Sequence, residues 1–255
     1  MTKKNIYLIT GTSRGIGEGI AEALLAPNNH LICFSRSINH DLRQKAKTAG
    51  VELDYNTIDL SKPAQSAELF REILEDIAPE SIASITLIHN AGALEPLAPV
   101  GREKDLSKIG QSLNVNLTTP IVTSEVFVSV VQNWAIDKKI LLISSGAGIH
   151  PYHAWSMYCS AKAGLEMFAR CLSLEQSTED QPVKVVALAP GVVDTSMQDF
   201  LRTLSEDTFH QVQRFKDLKA NDQLWSPAFV GGEIRKLLER PDFGSEVRLD
   251  LRDLV

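Results

Sequence analysis

Cysteine is scarce in this 255-residue chain: Cys33, Cys159 and Cys171 are the only three. They show neither CxxC spacing nor the pattern of a disulfide framework, which points to a reducing compartment. Positive charge is outweighed, with 26 Lys and Arg against 32 Asp and Glu and a formal charge of −6. That balance gives no electrostatic reason for nucleic acid or an anionic membrane as partner. Long apolar runs are missing too. The run in "MTKKNIYLITG" is too short for a signal-peptide core. Residues 140–161 carry no Asp, Glu, Lys or Arg, yet Ser, Gly, Pro and two histidines break them up, so no membrane span is expected. A stretch that starts apolar and turns polar suits a buried strand leading into a sheltered site. A cytoplasmic location is expected. No Gly/Ser-rich linker, repeat or low-complexity tract divides the chain, and residues 1–255 are expected to form one domain.

What is present is ordinary for a globular protein, 44% hydrophobic and 23% charged, with length enough for a substantial core. "NIYLIT", "HLICFS", "ELDYNTID", "SITLIHN", "KILLIS" and "VKVVALAP" read as buried strands, with "EVRLDL" a weaker last one. Helix-length segments alternate with them at residues 15–26, 41–49, 64–77, 119–134 and 153–175. The alternation predicts an α/β fold: a single Rossmann-type, doubly wound domain with a parallel sheet of about seven strands and helices on both faces. Residues 192–226 form a long, charged, aromatic-bearing stretch after a late strand. It is expected to hold short helices of its own, as a substrate lid or as a peripheral helical insertion.

The first strand runs directly into "TGTSRGIG", where Gly11, Gly15 and Gly17 precede a helix. Glycines let a backbone turn sharply and approach a pyrophosphate, whose charge then sits at the helix N-terminus. The strand–loop–helix context raises the pattern above a structural turn. An NAD site usually carries an acid after the second strand to bond the ribose 2′-hydroxyl. Here "FSRS" supplies Ser35 and Arg36 instead, and Arg14 lies inside the glycine loop. Each arginine alone reads equally as a solvated charge; together, with the acid missing, they favour NADP(H). Asp59, in "TIDLS", would accept from an adenine amino group or open the following helix.

In "SMYCSAKAG", Tyr158 and Lys162 stand four apart and so share one helical face. A free tyrosine has a pKa of about 10 and is a poor proton donor near neutrality. A neighbouring ammonium favours the phenolate and is expected to lower that pKa. Ser145, thirteen residues before Tyr158, follows the strand "KILLIS", where its hydroxyl would bond the same substrate oxygen.

"TGTSRGIG", the "HNAG" turn of residues 89–92, Asn116 in "NVNL", Ser145, "YCSAK" and "PGVVDT" together resemble the short-chain dehydrogenase/reductase family over nearly the whole chain. The resemblance implies Asn116, Ser145, Tyr158 and Lys162 as the catalytic set. Tyr158 would be the general acid/base, and Lys162 would tune it and hold the nicotinamide ribose. Ser145 would orient the carbonyl, and Asn116 would position a water that relays protons through Lys162. For the cofactor it implies Gly11, Ser13, Arg14, Gly15, Ile16, Gly17, Ser35, Arg36, Asp59, Leu60, Asn90, Ala91, Gly92, Tyr158, Lys162, Pro190, Gly191, Val193 and Thr195. His89 departs from the family's usual Asn, with small consequences expected, since that turn mainly supports the sheet.

The runs "ISSGAGIHPYHAWSMYCSAKAG" and "APGVVDTSMQ" are similar to those of bacterial benzil reductases of the (S)-benzoin-forming type and, more distantly, of sepiapterin reductases. That similarity implies NADPH-dependent reduction of one carbonyl of an α-dicarbonyl compound, with Ser145, Tyr152, Trp155 and Met197 against the substrate. Trp155 reads equally as packing for the helix start. Asp250 lies where a pterin would be anchored, and reads equally as an acid at a strand end. A different class, a dinucleotide-binding redox sensor without catalysis, would generally lack part of the tetrad. The "HPYH" spacing of His150 and His153 finds no convincing third ligand, and hydride transfer requires no metal. Cys159 reads as a small packed side chain. Partners are therefore expected to be a small ketone or diketone and, by resemblance, a second copy of the chain in a homodimer.

Overall fold

The computed structural model describes residues 3–255. Seven strands form one parallel sheet: β1 (Lys4–Thr10), β2 (Asn29–Ser35), β3 (Glu52–Thr57), β4 (Ile82–His89), β5 (Asp137–Ile143), β6 (Lys184–Ala189) and β7 (Arg248–Asp250). Their order is β3-β2-β1-β4-β5-β6-β7. The central strands are apolar on both sides because both faces are covered. Ile9, Leu31 and Cys33 point into one core, whereas Leu8, Ile32 and Phe34, one residue along, point into the other.

Helices fill the connections: α1 (Gly15–Ala23), α2 (His40–Ala49), α3 (Pro63–Glu75), α4 (Ser107–Leu113), α5 (Thr119–Val131), α6 (Ser156–Gln176), α7 (Ser196–Arg202), α8 (Val212–Ala220) and α9 (Pro227–Glu239). Ile20 of α1, Leu42 of α2 and Ile234 of α9 bury into the first core. Phe70 of α3, Phe127 of α5 and Leu165 of α6 bury into the second. The chain winds outward from β1 to β3, then returns to place β4 on the other side of β1. The crevice at the carboxyl ends of β1 and β4 is thus the topological switch point, where such sheets bind ligands.

Helix ends depart from the sequence pattern by up to three residues, with α1 stopping at Ala23 and α5 at Val131, and two helix starts carry features the pattern did not show. The helix expected from residue 119 is preceded by α4 and a π-helical turn, Asn114–Thr118. Pro120 has no N–H for the carbonyl four residues earlier, that of Asn116, which suits a local break from α geometry. The helix expected from residue 153 begins instead at Ser156, because Ala154 takes a left-handed φ of 65° just before it.

Residues 192–226 carry α7 and α8, and the ends of the segment are tied together. Val193 bridges Trp225, and Asp194 N donates to Trp225 O at 2.9 Å. The Asp194 carboxylate pairs with Lys219 of α8 at 2.6 Å and reaches Arg202 of α7 at 3.6 Å. Among the described residues, no helix is long and apolar enough to cross a membrane.

Candidate active site

The glycine loop leaves β1 with Gly11 at a φ of 76°, a left-handed conformation that glycine adopts without strain. Gly17, in the first turn of α1, packs so closely that a Cβ there would stand 2.2 Å from Gly11 O. The N-terminus of α1 is therefore drawn against the end of β1, with its free N–H groups over the switch point. Asn90 staples β4 to this loop, its Nδ2 donating to Thr10 O at 3.1 Å and Gly11 O at 3.2 Å. Thr10 Oγ1 accepts from Asn90 N at 3.0 Å and Ala91 N at 3.1 Å. Asn39 caps α2 by accepting from Leu42 N and reaches back to Glu18 at 2.7 Å and Ser13 O at 3.3 Å. Asn39 is a support the sequence reading missed, and Thr10, the first residue of "TGTSRGIG", was given no role there.

Gly15 faces Thr195, whose Cγ2 would lie 3.3 Å from an added Cβ. The glycine loop and the "PGVVDT" segment are thus opposite walls of one cleft. Pro190 and Val193 are buried and Gly191 is half-buried in the second wall, while Ser13 and Ile16 are half-buried in the first. Arg14 and Arg36 are both exposed, and Arg36 follows β2 directly. Ser35 Oγ donates to Ser37 O at 2.7 Å. Leu60 is buried, and Asp59 Oδ1 accepts from Ser61 N at 3.0 Å. That hydrogen bond holds the Asp59 carboxyl below its ordinary value, as a residue shaping the entry to α3. A cradle whose glycines leave no room for side chains, at a helix N-terminus and edged by two cations, fits a dinucleotide phosphate group.

The four predicted catalytic residues converge. Asn116 is buried in the π turn, where its Oδ1 accepts from Ala93 N at 3.1 Å. Its Nδ2 donates to Ala93 O at 2.7 Å and Ser112 O at 2.9 Å. The side chain is thus spent on fixing the backbone just past Gly92. A Cβ on Gly92 would lie 3.1 Å from Asn116 Oδ1 and 3.9 Å from Lys162 Nζ. Lys162 is buried and donates to Ile143 O at 2.8 Å, with Nζ 5.7 Å from the centre of the Tyr158 ring.

The electrostatics differ from the sequence expectation. Burial pushes the Tyr158 phenol up to about 12, opposed by the nearby Ser145 hydroxyl. Lys162 does not lower it: its ammonium is turned to Ile143 O, and burial pulls Lys162 down to about 8, with Glu166 opposing. His89 is neutral, lowered to about 3 by burial and then by Lys162, and its Nε2 meets Ser124 Oγ at 3.0 Å.

A third apolar cluster joins this centre to residues 192–226. Trp155 stacks on Phe209 at 5.2 Å and on Tyr152 at 4.8 Å, and meets Tyr158 edge-on at 5.7 Å. Trp155 is only 6% exposed, and its indole N–H is buried without a partner. Its ring packs at the start of α6 among Tyr152, Tyr158 and Phe209. Tyr152 and Met197 are half-buried against the same cluster. His153 lies flat on His210 with ring centres 3.7 Å apart, joining the loop before α6 to the segment between α7 and α8. Asp250 is buried, not a surface acid, and its carboxylate is taken by Arg252 through Nε at 2.8 Å and Nη2 at 2.6 Å.

Residues 5–205 match the short chain dehydrogenase family. The chain belongs to that family. It is 38% identical over 245 residues to benzil reductase ((S)-benzoin forming) of Bacillus cereus, covering 95% of this chain and 98% of that one. Sepiapterin reductase of Meriones unguiculatus is more distant, 28% identical over 257 residues, with 97% and 96% covered. The crystal structure of the KRED1-Pglu enzyme superposes with a TM-score of 0.80 at 28% identity, over 97% of this chain and all of that one. The chain is therefore an oxidoreductase of the short-chain dehydrogenase type.

Proposed function

We propose that this short-chain dehydrogenase is an NADPH-dependent carbonyl reductase that converts one carbonyl of an α-diketone to the alcohol, from benzil-type to benzoin-type compounds. The observation that carries the reading is the Tyr158 hydroxyl, fully protonated at neutral pH, beside Ser145 and one helical turn from Lys162. When bound, the dihydronicotinamide supplies the hydride that reaches the carbonyl carbon. Ser145 orients the carbonyl oxygen by a hydrogen bond, and Tyr158 gives that oxygen its proton as negative charge gathers there. The resulting phenolate keeps the Ser145 hydroxyl beside it, the group that opposes burial at Tyr158. Asn116 keeps the backbone at Ala93 in place beside Lys162. The glycine loop, Asn90 to Gly92, and Pro190, Gly191, Val193 and Thr195 hold the cofactor. Tyr152, Met197 and the ring stack behind them give the carbonyl compound an apolar, aromatic surrounding.

A diketone is favoured over a pterin because Asp250, the group that would anchor a pterin, already has both oxygens on Arg252. The test is purified protein with NADPH and benzil, following cofactor oxidation and the chirality of the product. One enantiomer of the hydroxyketone is expected. No turnover across a panel of diketones, ketoesters and pterins would sink the reading.

The choice of NADPH rests on Arg36 at the end of β2, with Arg14 in the loop and no acid after the strand. Losing one charge-assisted contact to a 2′-phosphate is worth roughly 10- to 100-fold in affinity. Arg36→Ala is therefore expected to raise the KM for NADPH by about that factor and to leave the KM for NADH unchanged. Equal effects on both cofactors would remove Arg36 from the 2′-phosphate site.

A further inference from the structure

Glu166 is a carboxylate that the proton-transfer chemistry above does not use, yet it is only 4% exposed. It follows Lys162 by four residues, as Lys162 follows Tyr158, so the three lie along one face of α6. Its Oε1 accepts from Ser144 Oγ at 2.7 Å, and Arg248 Nε of β7 lies 3.6 Å from Oε2. The turn at residues 146–148 rests on it, since a Cβ on Gly148 would stand 2.9 Å from Oε1. Ser144 lies between Ile143, whose carbonyl holds Lys162, and Ser145, which faces the Tyr158 hydroxyl. One buried carboxylate therefore touches the segment that carries both partners of the proton donor.

We infer that Glu166 is a positioning residue of the active site, which clamps the exit of β5 through Ser144 and sets a buried carboxylate one helical turn from the Lys162 ammonium. The inference rests on the reductase reading for its consequence in turnover, but not for the charge it assigns to Lys162. Burial works against that ammonium, and Glu166 is the group opposing burial. The groups facing Lys162 are Tyr158 and Glu166 from α6, neutral His89 from β4 and Asn116 from the π turn. Those facing Glu166 are Lys162 from its own helix, Ser144 past β5 and Arg248 from β7. Arg248 is the second cation beside Glu166 and stands 3.6 Å from its Oε2.

The geometry predicts shifts of opposite sign from two variants. Glu166→Gln keeps an acceptor for Ser144 and removes the charge, so Lys162 is expected to titrate about one pH unit lower. Arg248→Gln frees the carboxylate from its counter-charge, so Lys162 is expected to titrate higher, by about half a unit. The readout is the titration of the Lys162 side chain by NMR on 13C-lysine-labelled protein, with Lys162→Arg providing the assignment. The alkaline limb of kcat for benzil reduction should move with it in each variant. A merely structural role for Glu166 would leave the Lys162 titration in place when Glu166→Gln removes the charge and keeps the acceptor. Coincident titrations in wild type and both variants would overturn the inference. Should Glu166→Gln fail to fold, Glu166→Asp keeps the charge but draws it back along a shorter side chain: a Lys162 titration below wild type supports the inference and an unmoved one overturns it. If the wild type turns over no carbonyl compound, the reductase reading falls, while the NMR titration still decides whether Glu166 holds the charge on Lys162.

Discussion

Tyr158→Phe is expected to lower kcat for carbonyl reduction by about a thousandfold, within the range that a positioned acid contributes. The substitution removes one oxygen and keeps the ring, which is held edge-on by Trp155 at 5.7 Å inside a buried apolar cluster. The fold should therefore survive. Lys162 keeps its hydrogen bond to Ile143 O, and the glycine loop does not involve the phenol. NADPH binding, followed by fluorescence titration, should stay within about threefold of wild type, since no charge-assisted contact is lost. The pair of measurements also separates an enzyme from a dinucleotide-binding sensor that catalyses nothing. If the variant retained more than a tenth of wild-type turnover, Tyr158 would not be the proton donor.

Gly231→Val is expected to produce the largest loss of stability, because at this glycine two helices meet backbone to backbone. A Cβ on Gly231 of α9 would lie 2.1 Å from Gly19 O, and one on Gly19 of α1 would lie 2.1 Å from Pro227 O. Neither obstacle is a side chain that could swing aside, and Ile20, Val230 and Ile234 around the crossing are fully buried. Overpacking a core ordinarily costs about 1–3 kcal/mol, and here relief requires the helices to separate, so about 3 kcal/mol or more is expected. For a chain of this size that corresponds to a fall in Tm of roughly 10 °C, measurable by calorimetry. NADPH affinity should weaken as well, since α1 opens on the glycine loop. The control is Gly232→Ala in the same helix, where an added Cβ meets nothing within 4 Å. Alanine there should stabilise by about 0.5–1 kcal/mol. Equal melting temperatures for Gly231→Val and wild type would refute the close crossing.

How far these features could be read from the chain differs by residue. The apolar runs fall on β1, β2, β4, β5 and β6, because strands covered on both faces are largely apolar, whereas β3, "ELDYNT", is an edge strand with no buried residue. The seventh, "EVRLDL", shrinks to three residues, Arg248–Asp250, since its polar side chains are held by Glu166 and Arg252 and not by a core. The helix Ser107–Leu113 went unmarked because "SKIGQSL" combines a glycine with weak amphipathicity, and nearly all its residues stay out of the core. The π turn around Asn116 left one trace, Pro120 four residues later. Trp155 shows the limit of reading a side chain by type: an aromatic beside a catalytic tyrosine is equally a pocket wall and a packing wedge until its neighbours are known.

By itself, the sequence determined the alternation of strands and helices, the glycine loop after β1, and the spacing of Tyr158 and Lys162, because each depends on periodicity or short spacing along one element. The family resemblance came from several such motifs in order along the chain. Only the tertiary structure decided how those groups are charged and held. Burial sets Tyr158 to about 12 and Lys162 to about 8. Asp250 is given to Arg252, and Glu166 is brought under Ser144 and Arg248. Burial and opposing charges come from residues distant in the chain, and no local pattern records which of them the fold will place together.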